Sequence, residues 1–248
     1  MAFLINLKHE FYVLFYHMGI ALHRLIRTPY ATVMESLTMT MSNFFFFLTW
    51  VLIFQIVPHV KGWNLSDVAM MYSLGAACFG TAGVFFGGYR TIISDIDSGK
   101  FDSYLCKPAS PLSLALTSHS AASGIGEILT VPLFWFVFCH LTIWQMAFLT
   151  FMIIPGSIIM AAIGMMIYSM AFWTRSAQGT ADTILWGAIT FLTTPLHGLP
   201  IWAKWIVLTA FPVGCIAYLP IEIVHHPSIW AFCGILAAAI WSVILARG

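Results

Sequence analysis

The pattern of apolar and polar positions divides the chain into long apolar runs separated by short polar segments. Several runs carry no charge over the ~20 residues that a helix needs to cross the hydrocarbon core of a membrane. We therefore expect an all-α integral membrane protein, with one transmembrane domain over residues 1–248. Six transmembrane helices are predicted: Ala31–Val57, Val68–Phe86, Ser110–His140, Thr142–Trp173, Thr180–Thr194 and Pro227–Ala246.

Composition excludes the soluble classes of protein. Of the 248 residues, 60% are hydrophobic and 8% are charged, against roughly a quarter charged in an ordinary soluble domain. A water-facing surface cannot be built from so few charges, and the expected surroundings are membrane lipid. The formal net charge of +1 says little about partners; we expect no nucleic-acid partner.

The N-terminal segment, residues 1–28, has the pattern of a helix that lies in the membrane interface. At 100° per residue, Asn6, Glu10, His17 and Arg24 share one narrow face, while large apolar residues cover the rest. A narrow polar face on an apolar helix is typical of interfacial helices. We expect this helix on the cytoplasmic surface of the membrane.

The segment before the last predicted helix, residues 195–226, is interrupted by proline. Prolines within it and directly after it cut an apolar stretch into pieces that are too short to cross a membrane: Pro195, Pro200, Pro212, Pro220 and Pro227. Irregular backbone at membrane depth occurs only where protein or a watery cavity satisfies its polar groups. The pattern therefore predicts a re-entrant helical hairpin.

The basic residues predict the orientation. With six crossings, eight of the ten lie on one side, where both termini fall, and two lie on the other. The first group is Lys8, Arg24, Arg27, Arg90, Lys100, Lys107, Arg175 and Arg247, and the second is Lys61 and Lys204. Because basic residues concentrate on the cytoplasmic side, both termini are predicted to be cytoplasmic and the re-entrant segment to face outward.

A polar island, Gly87–Leu112, lies between the second and third predicted helices. It holds three of the ten Lys and Arg and three of the nine Asp and Glu. Tyr89–Ser98 is predicted to be helical, with Gly99 as its C-terminal stop. Its isoleucines share one side, and a second apolar cluster follows; these residues are Ile92, Ile93, Ile96, Phe101, Tyr104 and Leu105. The island is therefore predicted to be an amphipathic element on the cytoplasmic face.

The sequence shows no motif for catalysis or nucleotide binding. A phosphate-binding loop ending at Lys100 would need glycine at position 94 and Ser or Thr at 101, where Ser94 and Phe101 stand. The nine histidines form no liganding pair on a helix face, the five cysteines form no CxxC pair, and no G-x-S-x-G motif occurs. We predict no catalytic residue, metal site or cofactor in this chain, and ATP would have to be bound by another subunit.

Two acidic residues are candidates for the substrate path or a subunit interface, Glu127 and Asp182. Glu127 lies inside the third predicted helix, and burying a carboxylate in a membrane is costly. It could be protonated or hydrogen-bonded at a helix interface, line a subunit contact, or serve transport chemistry. Asp182 lies near the start of its helix, where an acid favours the helix dipole. Two other functions stay open: an ion-coupled carrier using Glu127, and a lipid-modifying enzyme using Glu127, His119 or Asp182.

Two stretches resemble a known family. "RTIISDIDSGKFDSYLCKPASPL" is similar to the cytoplasmic signature of permeases of the ABC type-two exporter class, especially those with six spans and a separate ATPase. "LPIWAKWIVLTAFPVGCIAYLPIEIV" resembles the segment before the last helix in the same permeases. The resemblance implies an ABC transporter permease that exports its substrate across the bacterial inner membrane.

The resemblance also implies partners and site residues. Two permeases, identical or homologous, would form the path for an amphipathic or hydrophobic substrate, and two copies of an ATPase subunit would bind ATP and Mg. Residues 88–109 would be the coupling region, whose docking residues would be Ile92, Ile93, Asp95, Ile96, Asp97, Phe101, Asp102, Tyr104 and Leu105. The re-entrant segment would narrow the outer exit through Pro200, Phe211, Pro212 and Pro220.

Overall fold

The computed structural model describes residues 2–57, 63–174, 177–192 and 200–246, and for residues 2–11 and 210 it describes the backbone alone. Within these ranges every regular element is helical. The α-helices are α1 (Ala2–Arg27), α2 (Pro29–Ile56), α3 (Leu65–Phe86), α4 (Ile92–Asp97), α5 (Asp102–Leu105), α6 (Pro111–Leu116), α7 (Ser123–Phe138), α8 (Ile143–Tyr168), α9 (Gln178–Leu192), α10 (Ile201–Trp205), α11 (Tyr218–His225) and α12 (Ile229–Leu245). Single turns of 3-10 helix occur at Gly87–Thr91, Ser169–Phe172 and Pro212–Cys215, and a π-helical turn at Ile206–Ala210.

Helix α3 forms the centre of the bundle and is buried along most of its length. It packs along α7 on one side and α8 on another, while α2 packs on α7 and α12 packs on α8. Helix α2 is largely exposed. Its exposed side chains are mostly apolar, as a lipid-facing surface requires.

Helices α3 and α7 approach so closely that glycine is required at their contact. A Cβ atom on Gly124 would collide with the backbone carbonyl oxygen of Gly80, and a Cβ on Gly80 would collide with Glu127 and the Gly124 carbonyl. The amide of Ala121 also donates to the carbonyl of Gly83 at 2.9 Å. Small residues at such contacts allow backbones to pack directly, and here they bring Glu127 against α3.

By length and composition, three described helical segments can cross a membrane: Pro29–Ile56, Leu65–Asp97 and Ile143–Phe172. Two shorter helices, α7 and α12, are also apolar. The described part of the chain is thus all-helical, and its long apolar helices are those of an integral membrane protein. The count of six crossings stays a prediction, because α7, α9 and α12 are shorter than a full span.

The prediction of one continuous helix over Ser110–His140 is wrong. Helix α6 ends at Leu116, and residues 117–122 are not helical before α7 begins at Ser123. The freed backbone groups find partners on other helices: Arg24 Nη1 of α1 donates to the Ser118 carbonyl at 2.7 Å, besides the Ala121 bond to α3. These tertiary hydrogen bonds satisfy backbone groups that would otherwise lack partners, so the helix can be interrupted within an apolar segment.

The proline-rich segment is broken into short pieces in its described part, residues 200–226. Helix α10 runs directly into the π-helical turn, Phe211 interrupts it, and α11 follows a 3-10 turn. Of the predicted outer-gate residues, Pro212 and Pro220 are buried, while Pro200 and Phe211 are exposed. The pieces pack on the bundle, with the rings of Trp63 and Tyr218 stacked 5.8 Å apart. A position at the outer face stays a prediction.

Some predictions fall on residues outside the described ranges. These are the start of the re-entrant segment at 195–199, the end of the fifth span, and three of the basic residues used for orientation, Lys61, Arg175 and Arg247. The interfacial pattern of α1 depends partly on Asn6 and Glu10, whose side chains are not described. The orientation therefore stays a prediction.

Candidate functional site

Helix α2 presents a line of polar side chains to α7. Ser36 and Thr40 lie four residues apart, so both face the same neighbour. The Ser36 hydroxyl lies 3.1 Å from the Ala122 carbonyl, and the Thr40 hydroxyl lies 3.1 Å from the Gly126 carbonyl. These hydroxyl-to-backbone bonds fix the register of the two helices, and they place Asn43, about one turn further along α2, beside Glu127.

Glu127 is held in a buried hydrogen-bond network. Asn43 Nδ2 donates to Glu127 Oε2 at 2.6 Å and lies 3.3 Å from the Thr130 hydroxyl. The Tyr72 hydroxyl of α3 donates to Asn43 Oδ1 at 2.9 Å. Glu127 is only 4% exposed. Of the roles left open for this acid, a hydrogen-bonded position at a helix interface is confirmed. A role in transport or at a subunit contact stays a prediction.

A cavity of about 200 Å³ opens beside this network, between α2, α3, α7 and α9. Glu127, Asn43 and Tyr72 line one wall of it. The rings of Phe46, Phe79 and Trp186 line much of the remainder, together with aliphatic side chains and the hydroxyl residues Ser42 and Thr190. A concave apolar site with a few convergent polar groups is the usual form of a ligand site. This cavity is the candidate substrate site.

The other proposed acid, Asp182, lies elsewhere. Its carboxylate accepts a hydrogen bond from the Tyr168 hydroxyl at the end of α8 and lies 3.2 Å from the Gln178 amide nitrogen. It therefore ties α9 to α8. Neither Asp182 nor His119 lines the cavity, so the structure does not bring the three residues of the enzyme hypothesis together around it.

The polar island folds around one buried carboxylate. Asp95 Oδ1 accepts a hydrogen bond from Lys100 Nζ at 2.8 Å, and its Oδ2 accepts one from the Tyr104 hydroxyl at 2.9 Å. This bond to Asp95 raises the pKa of Lys100 above its ordinary value. Gly99 lies between α4 and α5 and has a left-handed φ of 74°, which agrees with its predicted role as a helix stop. The two short helices α4 and α5 are thereby held as one compact unit.

The predicted docking residues divide into three groups by exposure. Ile92, Ile93, Asp95 and Tyr104 are buried, Ile96 and Phe101 are half-buried, and Asp97, Asp102 and Leu105 are exposed. The buried side chains are not available to a partner in this structure. Helix α4 contacts the 3-10 turn at Ser169–Phe172, directly after α8, and its apolar face is buried there. Helical periodicity alone cannot reveal this contact.

The island rests on the end of α8. The rings of Phe101 and Phe172 lie 5.3 Å apart, and those of Tyr89 and Tyr168 lie 5.8 Å apart. A Cβ atom at Gly164 would collide with the Tyr89 ring, so this glycine allows the fully buried tyrosine to sit directly on α8. A displacement of the island would therefore press on α8.

The island also contacts the wall of the cavity and lies near α1. The Arg90 guanidinium stacks on the Phe79 ring, 4.6 Å from its centre, and Phe79 lines the cavity. On α1, burial together with the nearby charges of Lys107 and Arg24 lowers the pKa of His17. Because Lys107 belongs to the island, α1 flanks it.

Replacing Asn43 with alanine is expected to destabilise the bundle. The change leaves the Glu127 carboxylate and the Tyr72 hydroxyl without their shared partner, at a cost of about 1–3 kcal/mol. The matched control is Gln55→Ala, which removes an exposed amide from the same helix. Thermal unfolding of the purified chains checks this: a lower midpoint for Asn43→Ala alone is expected, and equal midpoints would contradict it.

Comparison with family models decides the class of protein. A model of the ABC-2 family transporter protein matches residues 37–247, which include the cavity, the island and the proline-rich segment. The chain belongs to the ABC-2 transporter family. Among curated proteins and among solved structures, no match was found.

Membership of the ABC-2 transporter family fixes the general role of the chain. Its members are the membrane components of transporters, and they generally pair with an ATPase subunit. The chain is accordingly a transporter permease rather than a catalytic subunit.

Sequence reasoning missed Asn43 and Tyr72. A signal was present: Ser36, Thr40 and Asn43 are spaced by four and three residues in an apolar helix, which places them on one face. That spacing indicates a polar contact with another helix. It does not say which helix provides the partner, and the tyrosine comes from a third element.

Proposed function

We propose that this permease is the transmembrane subunit of an ATP-driven exporter of an amphipathic or hydrophobic substrate. A second permease, identical or homologous, completes the translocation path. Two copies of a separate ATPase subunit bind ATP and Mg and dock on the cytoplasmic polar island. The complex lies in the bacterial inner membrane, with both termini of this chain in the cytoplasm. Family membership supports the transport role, and the island supports the coupling.

The observation that carries the proposal is the construction of the island. It connects α3 to α6, and it is a compact unit with an internal ion pair rather than a solvated loop. Its inner side chains pack on the bundle, while Asp97, Asp102 and Leu105 remain exposed. We assign the docking surface to these three exposed residues. Leu105 is 60% exposed and is the apolar residue of the set.

Contacts within the chain provide a route from the island to the cavity. One branch runs from Tyr89 to Tyr168, whose hydroxyl is bonded to Asp182 of α9. The other runs from Arg90 to Phe79, whose ring lies 6.4 Å from that of Trp186 on α9. Both branches end on helices that line the cavity. Movement of the island on ATP binding would thus change the cavity.

The N-terminal end of α3, the central helix that lines the cavity, contacts the proline-rich segment. Asp67, near the start of α3, lies 2.9 Å from His225 Nε2 at the end of α11. Asp67 also closes a capping box with Asn64. In the proposed outer gate, Pro212 and Pro220 anchor the segment on the bundle and Phe211 lies at its exposed edge.

Replacing Phe172 with alanine is expected to uncouple the complex without dissociating it. The change removes the ring that Phe101 packs against, while the proposed docking residues are untouched. We expect normal recovery of the ATPase subunit but several-fold lower stimulation of ATP hydrolysis by the permease. Trp144→Ala, at the opposite end of α8, where the side chain is 82% exposed, is the control. Unchanged stimulation of ATP hydrolysis by the Phe172→Ala permease would contradict the proposed route from the island to the cavity.

An ion-coupled carrier is the second candidate, because a buried carboxylate lines the cavity. Co-expression separates the two functions. The permease is expressed with candidate ATPase subunits and purified through a tag on this chain, and the bound proteins are identified by mass spectrometry. Recovery of one ATPase in a stoichiometric complex supports the exporter. A pure permease that is active without any nucleotide-binding subunit supports the carrier.

A further inference from the structure

The cavity beside Glu127 contains a buried acid that forms no ion pair with any described residue. The ion pairs among the described residues are Lys100 with Asp95 and His225 with Asp67, and neither includes Glu127. Asn43 donates to Oε2, whereas no described residue donates to Oε1. Arg90 stacks on Phe79 but does not itself line the cavity. A buried carboxylate without a cation is costly, and a bound cation would offset that cost.

Aromatic rings surround the same space. The rings of Phe46 and Tyr72 are stacked with their centres 5.9 Å apart, and those of Phe79 and Trp186 lie 6.4 Å apart. All four residues line the cavity. The negative face of an aromatic ring attracts a cation, and groups of such rings recognise quaternary ammonium ligands. An acid and four aromatic rings around one cavity select for positive charge on an apolar group.

The size of the cavity limits what enters it. Its volume of about 200 Å³ is below the roughly 300–1,000 Å³ of sites that enclose a drug-sized ligand. It therefore suits one charged head group rather than a whole large molecule. The apolar remainder of such a ligand would extend toward the membrane along α2, whose exposed side chains are mostly apolar.

We propose that this cavity binds the cationic head of an amphipathic organic cation, with Glu127 as its counter-ion and Phe46, Tyr72, Phe79 and Trp186 around it. As the substrate class of the transporter, this inference rests on the proposed function. Asn43 is a positioning residue, because its bonds to Glu127 and Tyr72 hold the acid at the wall of the cavity.

Direct binding to the permease tests the site. The probe is tritiated benzyltrimethylammonium, added to the full chain in nanodiscs of uncharged lipid without nucleotide. Glu127→Gln is expected to weaken binding at least tenfold, and Glu127→Asp to retain most of it because the charge is kept. The matched control is Glu35→Gln, which neutralises an exposed acid on α2 and is expected to bind as the wild type does.

A second ligand separates charge recognition from simple apolar binding. Neopentylbenzene has nearly the shape of the probe and no charge, so it is expected to displace the probe poorly from the wild-type chain. Three outcomes would overturn the inference. Neopentylbenzene could displace the tritiated probe as well as unlabelled benzyltrimethylammonium does, Glu127→Gln could bind the probe as the wild type does, or the wild-type chain could bind no probe. Each variant is checked for an unchanged thermal midpoint, and Glu127→Asp shows whether the charge itself is responsible.

This test is independent of the proposed function. It needs neither ATP nor a partner, so loss of probe binding in a complex that still contains the ATPase rejects only the substrate class. Failure to recover any ATPase rejects the exporter, even where the probe binds in a Glu127-dependent manner.

Discussion

A chain in which Gly124 is replaced by valine is expected to misfold. The Cβ of any larger residue would meet the backbone oxygen of Gly80 on α3, and a backbone atom cannot move aside as a flexible side chain can. Overpacking typically costs about 1–3 kcal/mol and occasionally more, and the upper end of this range is expected where two backbones must separate. Separation of α3 from α7 would also remove Glu127 from the cavity. Size-exclusion chromatography of the tagged chain in mild detergent measures the folded fraction.

Gly234→Val is the matched control for this substitution. Gly234 lies in the apolar helix α12, and a Cβ there meets nothing within 4 Å. The control chain is expected to elute as the wild type does, whereas Gly124→Val is expected to aggregate. A Gly124→Val chain with a normal elution profile and thermal midpoint would show that α3 and α7 do not pack as described.

The second large effect concerns the docking surface of the island. Leu105→Asp is expected to reduce recovery of the ATPase subunit at least tenfold while the permease inserts normally. The exposed leucine can be replaced without disturbing the Asp95 network inside the island. An aspartate buried at an apolar contact without a cation costs more than the roughly 1.4 kcal/mol that a tenfold loss of affinity requires. Quantitative mass spectrometry of the affinity-purified complex measures the loss.

Ile201→Asp is the control for Leu105→Asp. Ile201 is an exposed apolar residue on α10, in the segment predicted to face outward, so its replacement is expected to leave ATPase recovery unchanged. Full recovery of the ATPase with Leu105→Asp would exclude this docking surface. The buried Ile92 is unsuitable for such a test, because Ile92→Asp would place a charge at a site that is 1% exposed and unfold the island.

The features that the sequence predicts well depend on local properties. Hydrophobic length identifies the membrane class, the spaced prolines predict the broken segment that ends in α11, and Gly99 has the positive φ expected of a helix stop. Each follows from one short stretch of chain. The amphipathic character of the island is likewise visible in its isoleucines.

The features that the sequence predicts poorly depend on contacts between residues that are distant along the chain. The break at 117–122 is stabilised by Arg24 and Gly83, which lie far away in the sequence. The partner of Glu127 is Asn43, 84 positions earlier. Whether the Ile92 side chain faces the bundle or a partner depends on which surface covers α4. A helical pattern shows that an apolar face exists but not what packs on it.

ATP is proposed to act on this permease through a separate subunit. Photolabelling with 8-azido-ATP of the complex purified through a tag on this chain tests this. The label is expected on a co-purified protein, excess ATP is expected to compete it away, and this chain is expected to remain unlabelled. Labelling of this chain itself, or an intact and active permease preparation with no labelled protein, would show that no separate ATPase subunit drives the permease.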